Sequence, residues 1–351
     1  MTTSVCWATV AGAGVAPMGL QHYEGQLLAA LLRIDSPDWA FTNRTIGGLR
    51  QRPRPVVRLP TGLLALGGIR TAELAGRWAY RGVRFVHRFD LRLPPPSGAE
   101  VVTVHDLPPL RFDDEGEIPS WVRQGAQRAR LVICPSEFAA SEVRELLGVD
   151  RVAVVPNGVG PPYPGATPMS ASELHGLGIH GPFLLHVGGS TRRKNLPGLA
   201  GAWRQIGPQL PGIALVSVGP NTSQRAAAFE GLPDVVLTGY QTQERVARLM
   251  ASAGLVVVPS TYEGFGLPCL EAMAVGTPVV AARAGALAEV CGDAAQLCDS
   301  SAEGLAEAVS QVVHDEALRD SLVARGVKRA GEFTWERSAA AHLEVYATAF
   351  L

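Results

Sequence analysis

The sequence predicts an α/β protein with two doubly wound parallel β-sheets. Short apolar runs rich in β-branched residues alternate with helical segments along the chain, which is typical of parallel sheets covered by helices on both faces. A segment dense in proline and glycine, residues 157–165, separates the strands into two groups, as expected at a domain edge. At 351 residues the chain can bury two cores. We therefore predict domains at residues 1–165 and 166–336.

The first group of strands is predicted from short apolar runs that end in glycine or polar residues. These runs lie at residues 5–10, 39–43, 84–87, 101–105, 131–134 and 152–155. Helices are predicted at residues 24–32 and 139–147, the second after the capping residue Ser136.

The second group follows the same pattern. Its predicted strands are residues 183–187, 214–218, 235–238, 255–259, 279–281 and 296–298. A helix is predicted at residues 196–206, and another begins near Pro268, since proline suits the first turn of a helix.

Two glutamates flank a strand-to-helix turn at residues 262–271. Gly264 and Gly266 let the backbone approach a ligand, and the free N–H groups at a helix start attract anions. Glu263 precedes the helix and Glu271 lies about one turn inside it, so both can accept hydrogen bonds from hydroxyls beside a phosphate. A sugar joined to a nucleotide by a diphosphate has this layout. A purely structural turn is the alternative.

A second anion-binding segment is predicted after strand 183–187. That strand runs into Gly188 and Gly189, and the consecutive cations Arg192, Arg193 and Lys194 follow. Cations at the carboxyl end of a strand form an electropositive mouth where open α/β sheets bind ligands. A solvated charge run is the alternative, although cations at a helix start oppose the helix dipole.

Other strand ends carry weaker signals. His105 and Asp106 end the fourth predicted strand, where the imidazole can donate to a sugar hydroxyl or serve only a structural hydrogen bond. A glycine cluster at residues 12–14 follows the first strand but lacks the register of a dinucleotide fingerprint. Gly239 and Tyr240 close another strand, where they border a nucleotide base or form an ordinary turn.

Composition excludes several classes of function. A net charge of -1 and a pI near 6.7 argue against nucleic acid as the main partner. The five cysteines have no metal-binding spacing, and their odd number without an export signal predicts reduced thiols in a cytosol. The acidic residues 113–115 lack His or Cys partners, so we expect no required metal, and we expect no cofactor. The N-terminus lacks the pattern of an export signal, and no apolar run reaches the roughly 20 residues that span a bilayer.

Several segments, taken together, resemble the retaining glycosyltransferases of family 4, which have the GT-B fold. Glu263 and Glu271 match the family's two glutamates separated by seven residues, and Arg193-Lys194-Asn195 matches its phosphate-binding segment. Further matches lie at residues 102–107, at residues 278–281 with Glu289, and at residues 333–337. One position departs from the pattern, because Gly189 stands where many members carry arginine.

The resemblance implies two Rossmann-like domains facing a cleft, with the helix at residues 337–351 packing back on the acceptor-binding N-terminal domain. It implies His105, Glu263 and Lys194 as catalytic residues and Gly19, Tyr23 and Asp106 as acceptor-binding residues. The implied donor-binding residues are Gly188, Arg193, Lys194, Gly239, Tyr240, Glu263, Gly264, Phe265, Gly266, Leu267 and Glu271. The nucleotide-diphosphate sugar would be a co-substrate.

The predicted function is metal-independent, retaining transfer of a hexose to a hydroxyl acceptor. GDP-mannose is the first donor to consider, with UDP-, dTDP- and other GDP-sugars open. The acceptor is a carbohydrate, a lipid-linked acceptor or a small molecule. The alternatives are a nucleotide-sugar epimerase or phosphorylase of the same fold and a non-catalytic nucleotide-sugar-binding subunit. We expect a cytoplasmic protein. The apolar residues 63–66 indicate either peripheral contact with the inner membrane face or, as we favour, core packing.

Overall fold

The structure is a computed structural model that describes residues 2–11, 19–34, 36–49 and 56–351. It divides into two compact units, Met1–Gly158 with Trp335–Leu351, and Val159–Thr334. The division predicted from sequence, at residue 165, lies in the proline- and glycine-rich segment just after this boundary. The glycine cluster at residues 12–14 lies outside the described residues.

The first unit contains a seven-stranded parallel sheet among its described residues. Its strands are β1 (Thr3–Val10), β2 (Trp39–Gly48), β3 (Val57–Leu59), β4 (Phe85–Arg88), β5 (Ala99–Thr103), β6 (Leu131–Cys134) and β7 (Val152–Val154), in the order β3-β2-β1-β4-β5-β6-β7. The strand β3 was missed from sequence because prolines surround it, and a sheet edge tolerates proline.

The helices of this unit cover its sheet. They are α1 (Gly19–Arg33), α2 (Thr61–Leu66), α3 (Ile69–Ala79), α4 (Val122–Arg128) and α5 (Glu137–Glu142). Ser136 caps α5 as predicted, because its hydroxyl accepts the N–H of Ala139 at 3.0 Å.

The second unit has a six-stranded parallel sheet in the order β10-β9-β8-β11-β12-β13. Its strands are β8 (Phe183–Val187), β9 (Ala214–Val218), β10 (Val235–Gly239), β11 (Leu255–Val258), β12 (Val279–Ala282) and β13 (Gln296–Cys298). Its helices are α6 (Ala171–His175), α7 (Leu196–Ile206), α8 (Ser223–Phe229), α9 (Gln243–Ser252), α10 (Leu267–Ala274), α11 (Leu287–Cys291), α12 (Ala302–His314) and α13 (Glu316–Ala330).

The strand order reverses at one point in each sheet. In the second unit β8 and β11 are neighbours, although the chain leaves β8 toward one side of the sheet and continues from β11 toward the other. Ligands of doubly wound sheets bind at such switch points, at the carboxyl ends of the strands. The loops after β8 and β11 are the two segments that the sequence marked as anion-binding.

The last helix, α14 (Trp335–Phe350), belongs to the first unit and packs against α1. Its Tyr346 is fully buried among aromatic side chains, with ring centroids 5.7 Å from Trp39 and 6.0 Å from Phe41. Such aromatic contacts stabilise the folded state by more than the burial of their apolar area alone. The helix is therefore part of the hydrophobic core of the first unit.

Two observations concern membranes. None of the helices in the described ranges is both long and apolar enough to cross a bilayer. The expectation that residues 63–66 pack in the core is wrong for Leu63 and Leu66, whose side chains are 70% and 89% exposed, whereas Leu64 is buried. The short helix α2 turns one side to the core and the other to solvent.

Candidate active site

The loops after β8 and β11 meet through an ion-pair cluster. The Lys194 Nζ donates to Glu263 Oε1 at 2.6 Å, and the Arg193 guanidinium lies 3.3 Å from Glu263 Oε2. Glu263 is buried and the two cationic side chains are largely buried. The structure thus brings together three residues that the sequence assigned to one site.

Asn195 fixes the geometry of this cluster. It adopts a left-handed conformation (φ 52°), and its side-chain oxygen accepts the N–H of Gly198 at 3.2 Å, which caps α7. Its amide nitrogen donates to the carbonyls of Pro259 at 3.0 Å and Ser300 at 2.8 Å. The Thr261 N–H also donates to the Arg193 carbonyl at 2.8 Å. These bonds join the two loops, so Arg193 and Lys194 are held facing Glu263.

The charge of Glu263 is stabilised by its neighbours. Burial by itself would raise the pKa of this carboxyl, but the positive charges of Lys194 and Arg193 outweigh burial and lower the pKa below its usual range. Glu263 therefore stays ionised. Two cationic side chains thus meet at this carboxylate, and cations of this kind suit contact with an anion.

A glycine after β12 lets another loop support Glu263. Gly285 has φ 55°, and a Cβ placed on it would lie 2.5 Å from the Glu263 carbonyl oxygen. The next residue, Ala286, donates its N–H to that carbonyl at 2.9 Å. Glycine is required at this position, and sequence reasoning did not identify it.

Glu271 lies on α10, which begins after Gly266. Gly266 has φ 102°, and a side chain there would strike Leu287. Burial raises the pKa of the Glu271 carboxyl to about 7, and a hydrogen bond from Tyr163 partly opposes this. Tyr163 is a partner that the sequence did not reveal.

The other predicted donor-binding residues occupy different surroundings. Phe265 is buried against Phe333, with ring centroids 5.8 Å apart, and Leu267 is the first residue of α10. Gly239 ends β10 with φ 71° and accepts the N–H of Gly219 at 3.1 Å. Tyr240 is half exposed.

The first unit holds a second cluster around His105, which follows β5. The Tyr23 ring packs edge-on against the His105 ring, with centroids 4.4 Å apart. His342 on α14 donates from Nδ1 to the Ser338 carbonyl at 2.7 Å, so its Nε2 accepts from the Tyr23 hydroxyl at 3.1 Å. The last helix thereby fixes the ring that contacts His105.

The buried groups of this cluster are held uncharged. Burial lowers the pKa of both His105 and His342 to about 4. Burial and the neighbouring Asp90 raise the pKa of Glu24 to about 8, so this carboxyl is protonated at neutral pH. Buried atoms of His105 (Nε2) and Glu24 (Oε1) have no hydrogen-bond partner within the described ranges. Sequence reasoning missed Glu24, Asp90 and His342.

The first unit also contains the predicted acceptor-binding residues Asp106 and Gly19. Asp106 directly follows His105 and is partly exposed. Gly19 was predicted to lie in a loop, but it is the first residue of α1, because the helix begins five residues earlier than its apolar pattern indicated. Among the described residues, no group of three or more His, Cys, Asp and Glu side chains is placed to hold a metal ion.

Comparisons with known proteins show which family this chain resembles. The chain matches the family models "Glycosyl transferases group 1" over residues 176–329 and "Glycosyltransferase Family 4" over residues 67–161. It is 30% identical to the alpha-maltose-1-phosphate synthase of Mycolicibacterium smegmatis over 70% of this chain and 72% of that protein. It is 27% identical to O-antigen chain mannosyltransferase B of Escherichia coli over 77% of this chain and 76% of that protein.

The fold is also found in solved structures. The sucrose-phosphate synthase of Thermosynechococcus elongatus superimposes with a TM-score of 0.76 at 22% identity, over 99% of both chains.

Proposed function

This chain belongs to the glycosyltransferases of group 1 and family 4, with their GT-B fold, and we propose that it transfers a hexose from a nucleotide-diphosphate sugar to a hydroxyl acceptor. The observation that supports this proposal best is the cluster of Arg193, Lys194 and Glu263 at the switch point of the second sheet. The cluster is largely buried, contains two cationic side chains and lies beside the N-terminus of α10, which suits a diphosphate.

In the proposed reaction, the bond between the sugar C1 and the diphosphate oxygen breaks, and its electron pair stays on that oxygen. The acceptor oxygen forms the new bond to C1 and passes its proton to the departing diphosphate oxygen. Lys194 and Arg193 would stabilise the charge that develops on the leaving diphosphate. One such preorganised donor lowers the activation barrier by on the order of 3 kcal/mol. We propose that the anomeric configuration is retained, as in the family that the sequence resembles.

The glutamates are given separate roles in this proposal. Glu263 fixes both cations and accepts a hydroxyl of the donor sugar, and Glu271 accepts the ribose hydroxyls. The backbone of residues 264–267 at the start of α10 would contact phosphate. In the first unit, the uncharged His105 would bind a sugar hydroxyl, since neutral imidazole both donates and accepts hydrogen bonds, and the Tyr23 ring packed against it would line the same site.

GDP-mannose is the first donor to test, because one relative is named a mannosyltransferase. The purified chain should be incubated with GDP-, UDP-, dTDP- and ADP-sugars and a panel of sugar acceptors, with a chelator present. We expect release of one nucleoside diphosphate together with a glycosylated acceptor, at a rate that the chelator does not change. An epimerised donor without transfer would indicate an epimerase, and binding without turnover a non-catalytic subunit.

We also propose that the first unit contacts the cytoplasmic membrane face peripherally. Leu74 and Trp78 are exposed on one side of α3, at a spacing of four residues, and Arg70 and Arg77 are exposed on that helix as well. Exposed leucine, tryptophan and arginine on a short helix are typical of interfacial segments. Wild type should sediment with anionic vesicles and Leu74→Glu should not. Val327→Glu, at an exposed position of the second unit, is the matched control. Equal sedimentation of both variants would contradict this.

A further inference from the structure

The turn at Gly188 and Gly189 is held by hydrogen bonds from a buried arginine on α8. Arg225 is fully buried, and its guanidinium donates to the carbonyls of Gly188 at 2.5 Å, Gly189 at 3.1 Å and Pro220 at 3.1 Å. It also donates to the Ser217 hydroxyl. No carboxylate of the described chain forms an ion pair with it. Its positive charge is thus balanced only by carbonyl and hydroxyl dipoles, an unusual arrangement for a buried charge.

The contacts of Arg225 determine the direction of two neighbouring N–H groups. In a planar trans peptide the carbonyl and the N–H point in opposite directions, and the peptide bonds of this turn are trans. Since the Gly188 and Gly189 carbonyls both point at Arg225, the N–H groups of Gly189 and Ser190 point away from it. Neither N–H has a hydrogen-bond acceptor in the part of the chain that the structure describes.

The turn borders open space at Gly189. A Cβ placed on Gly189 would meet no atom within 4 Å. A Cβ placed on Gly188 would lie 3.8 Å from the Lys194 side chain, so the turn adjoins the cationic cluster. On the buried side there is no such space, because a Cβ on Gly219 would collide with the Gly188 carbonyl and with Arg225.

We propose that Arg225 is a positioning residue for the donor diphosphate. By holding two successive carbonyls, it presents the N–H groups of Gly189 and Ser190 as a paired anion site beside Lys194. Successive backbone N–H groups of this kind form a concave site for phosphate oxygens. The unpaired charge of Arg225 adds to the attraction. This inference rests on the proposed function, because it assigns part of the same donor site.

The test measures the affinity of the full chain for GDP, UDP, ADP and dTDP, and for the matching nucleosides without phosphate, by titration calorimetry. Ser190→Pro removes one of the two N–H groups, and Ser190→Ala removes only the hydroxyl that accepts from Thr222. We expect Ser190→Pro to weaken binding of the preferred nucleoside diphosphate about 10-fold to 100-fold, as for a lost hydrogen bond to a charged group. Ser190→Ala should bind within about twofold of wild type, and nucleoside affinity should not change in either variant.

Arg225→Lys tests the support itself. It should weaken binding of the nucleoside diphosphate without changing nucleoside binding. In NMR spectra of wild type saturated with the nucleoside diphosphate, we expect the Gly189 and Ser190 amide protons to shift downfield, and this shift should be smaller in Arg225→Lys. If Arg225→Lys does not fold, the two Ser190 variants still decide the question.

Two other results would contradict the inference. If wild type binds a nucleoside diphosphate and Ser190→Pro binds it equally well, the inference is wrong and the proposed function stands. If wild type binds none of the four nucleoside diphosphates, both are wrong.

Discussion

The two units bury their polar clusters in different ways. In the second unit Glu263 stays charged because Lys194 and Arg193 lie within ion-pairing distance of its carboxylate. In the first unit His105 lacks such a partner among the described residues, and burial keeps it neutral. Burial therefore does not decide charge by itself, since a nearby opposite charge can outweigh it. The charged cluster suits a diphosphate and the neutral cluster suits hydroxyl groups.

The largest expected effect is on Lys194 in the charged cluster. Lys194→Ala should lower kcat/KM for donor turnover about 100-fold, since a preorganised donor contributes on the order of 3 kcal/mol. The unfolding free energy should change little, because Glu263 keeps its contact with Arg193. Steady-state kinetics and urea unfolding of the same preparation measure both quantities. Near-normal turnover would show that Lys194 does not hold the diphosphate.

In the neutral cluster, a substitution of Tyr23 should lower stability more than activity. Tyr23→Phe removes the hydroxyl that donates to His342 and leaves a buried acceptor unpaired, which costs about 1–3 kcal/mol of unfolding free energy. Activity should stay within about threefold, because the ring against His105 is retained. Urea unfolding measures the first effect. A large loss of turnover with unchanged stability would instead place the hydroxyl itself in acceptor binding.

The pH dependence of stability should also separate the clusters. His342 has a folded pKa of about 4, below the 6.5 of an unperturbed histidine, so the unfolded chain binds more protons between these values. The unfolding free energy should fall as pH drops from 6.5 to 4, and His342 should contribute nothing to this dependence above pH 6.5. Replacing His342 with glutamine should make the curve shallower in that window only, where His105 still contributes. An unchanged slope would mean that His342 is not held neutral.

The smallest expected effect concerns Glu271. Its pKa of about 7 means that the carboxyl ionises between pH 6 and 8, and in the ionised form the proposed contact with ribose hydroxyls would be stronger. The donor KM of wild type should therefore fall a few-fold over this range, whereas Glu271→Gln should show a constant KM. A parallel pH dependence in both proteins would assign the change to another group.

The sequence predicted the charged cluster better than the neutral one. Arg193, Lys194 and Glu263 lie in two short segments beside glycines, and the alternation of strands and helices places both segments at strand ends. The strands of both sheets were predicted apart from β3, whose prolines obscured it.

The neutral cluster could not be predicted in the same way. His342 lies far from Tyr23 along the chain, and nothing in its local sequence indicates the contact. Arg225 and Gly285 were also missed, because their contacts are tertiary. Arg225 donates to the Gly188 carbonyl, and Gly285 packs against the Glu263 backbone. Local sequence patterns indicate turns, whereas packing between residues far apart in the chain leaves no local sequence pattern.

The central claim is that the charged turns of the second unit bind the nucleotide-diphosphate sugar. Hydrogen–deuterium exchange of the full chain, with and without the nucleotide sugar that raises its Tm most, tests this directly. We predict slower exchange in peptides covering residues 188–196 and 261–272, and a smaller effect in Lys194→Ala at equal ligand concentration. Saturating ligand that leaves both peptides unchanged would contradict the account.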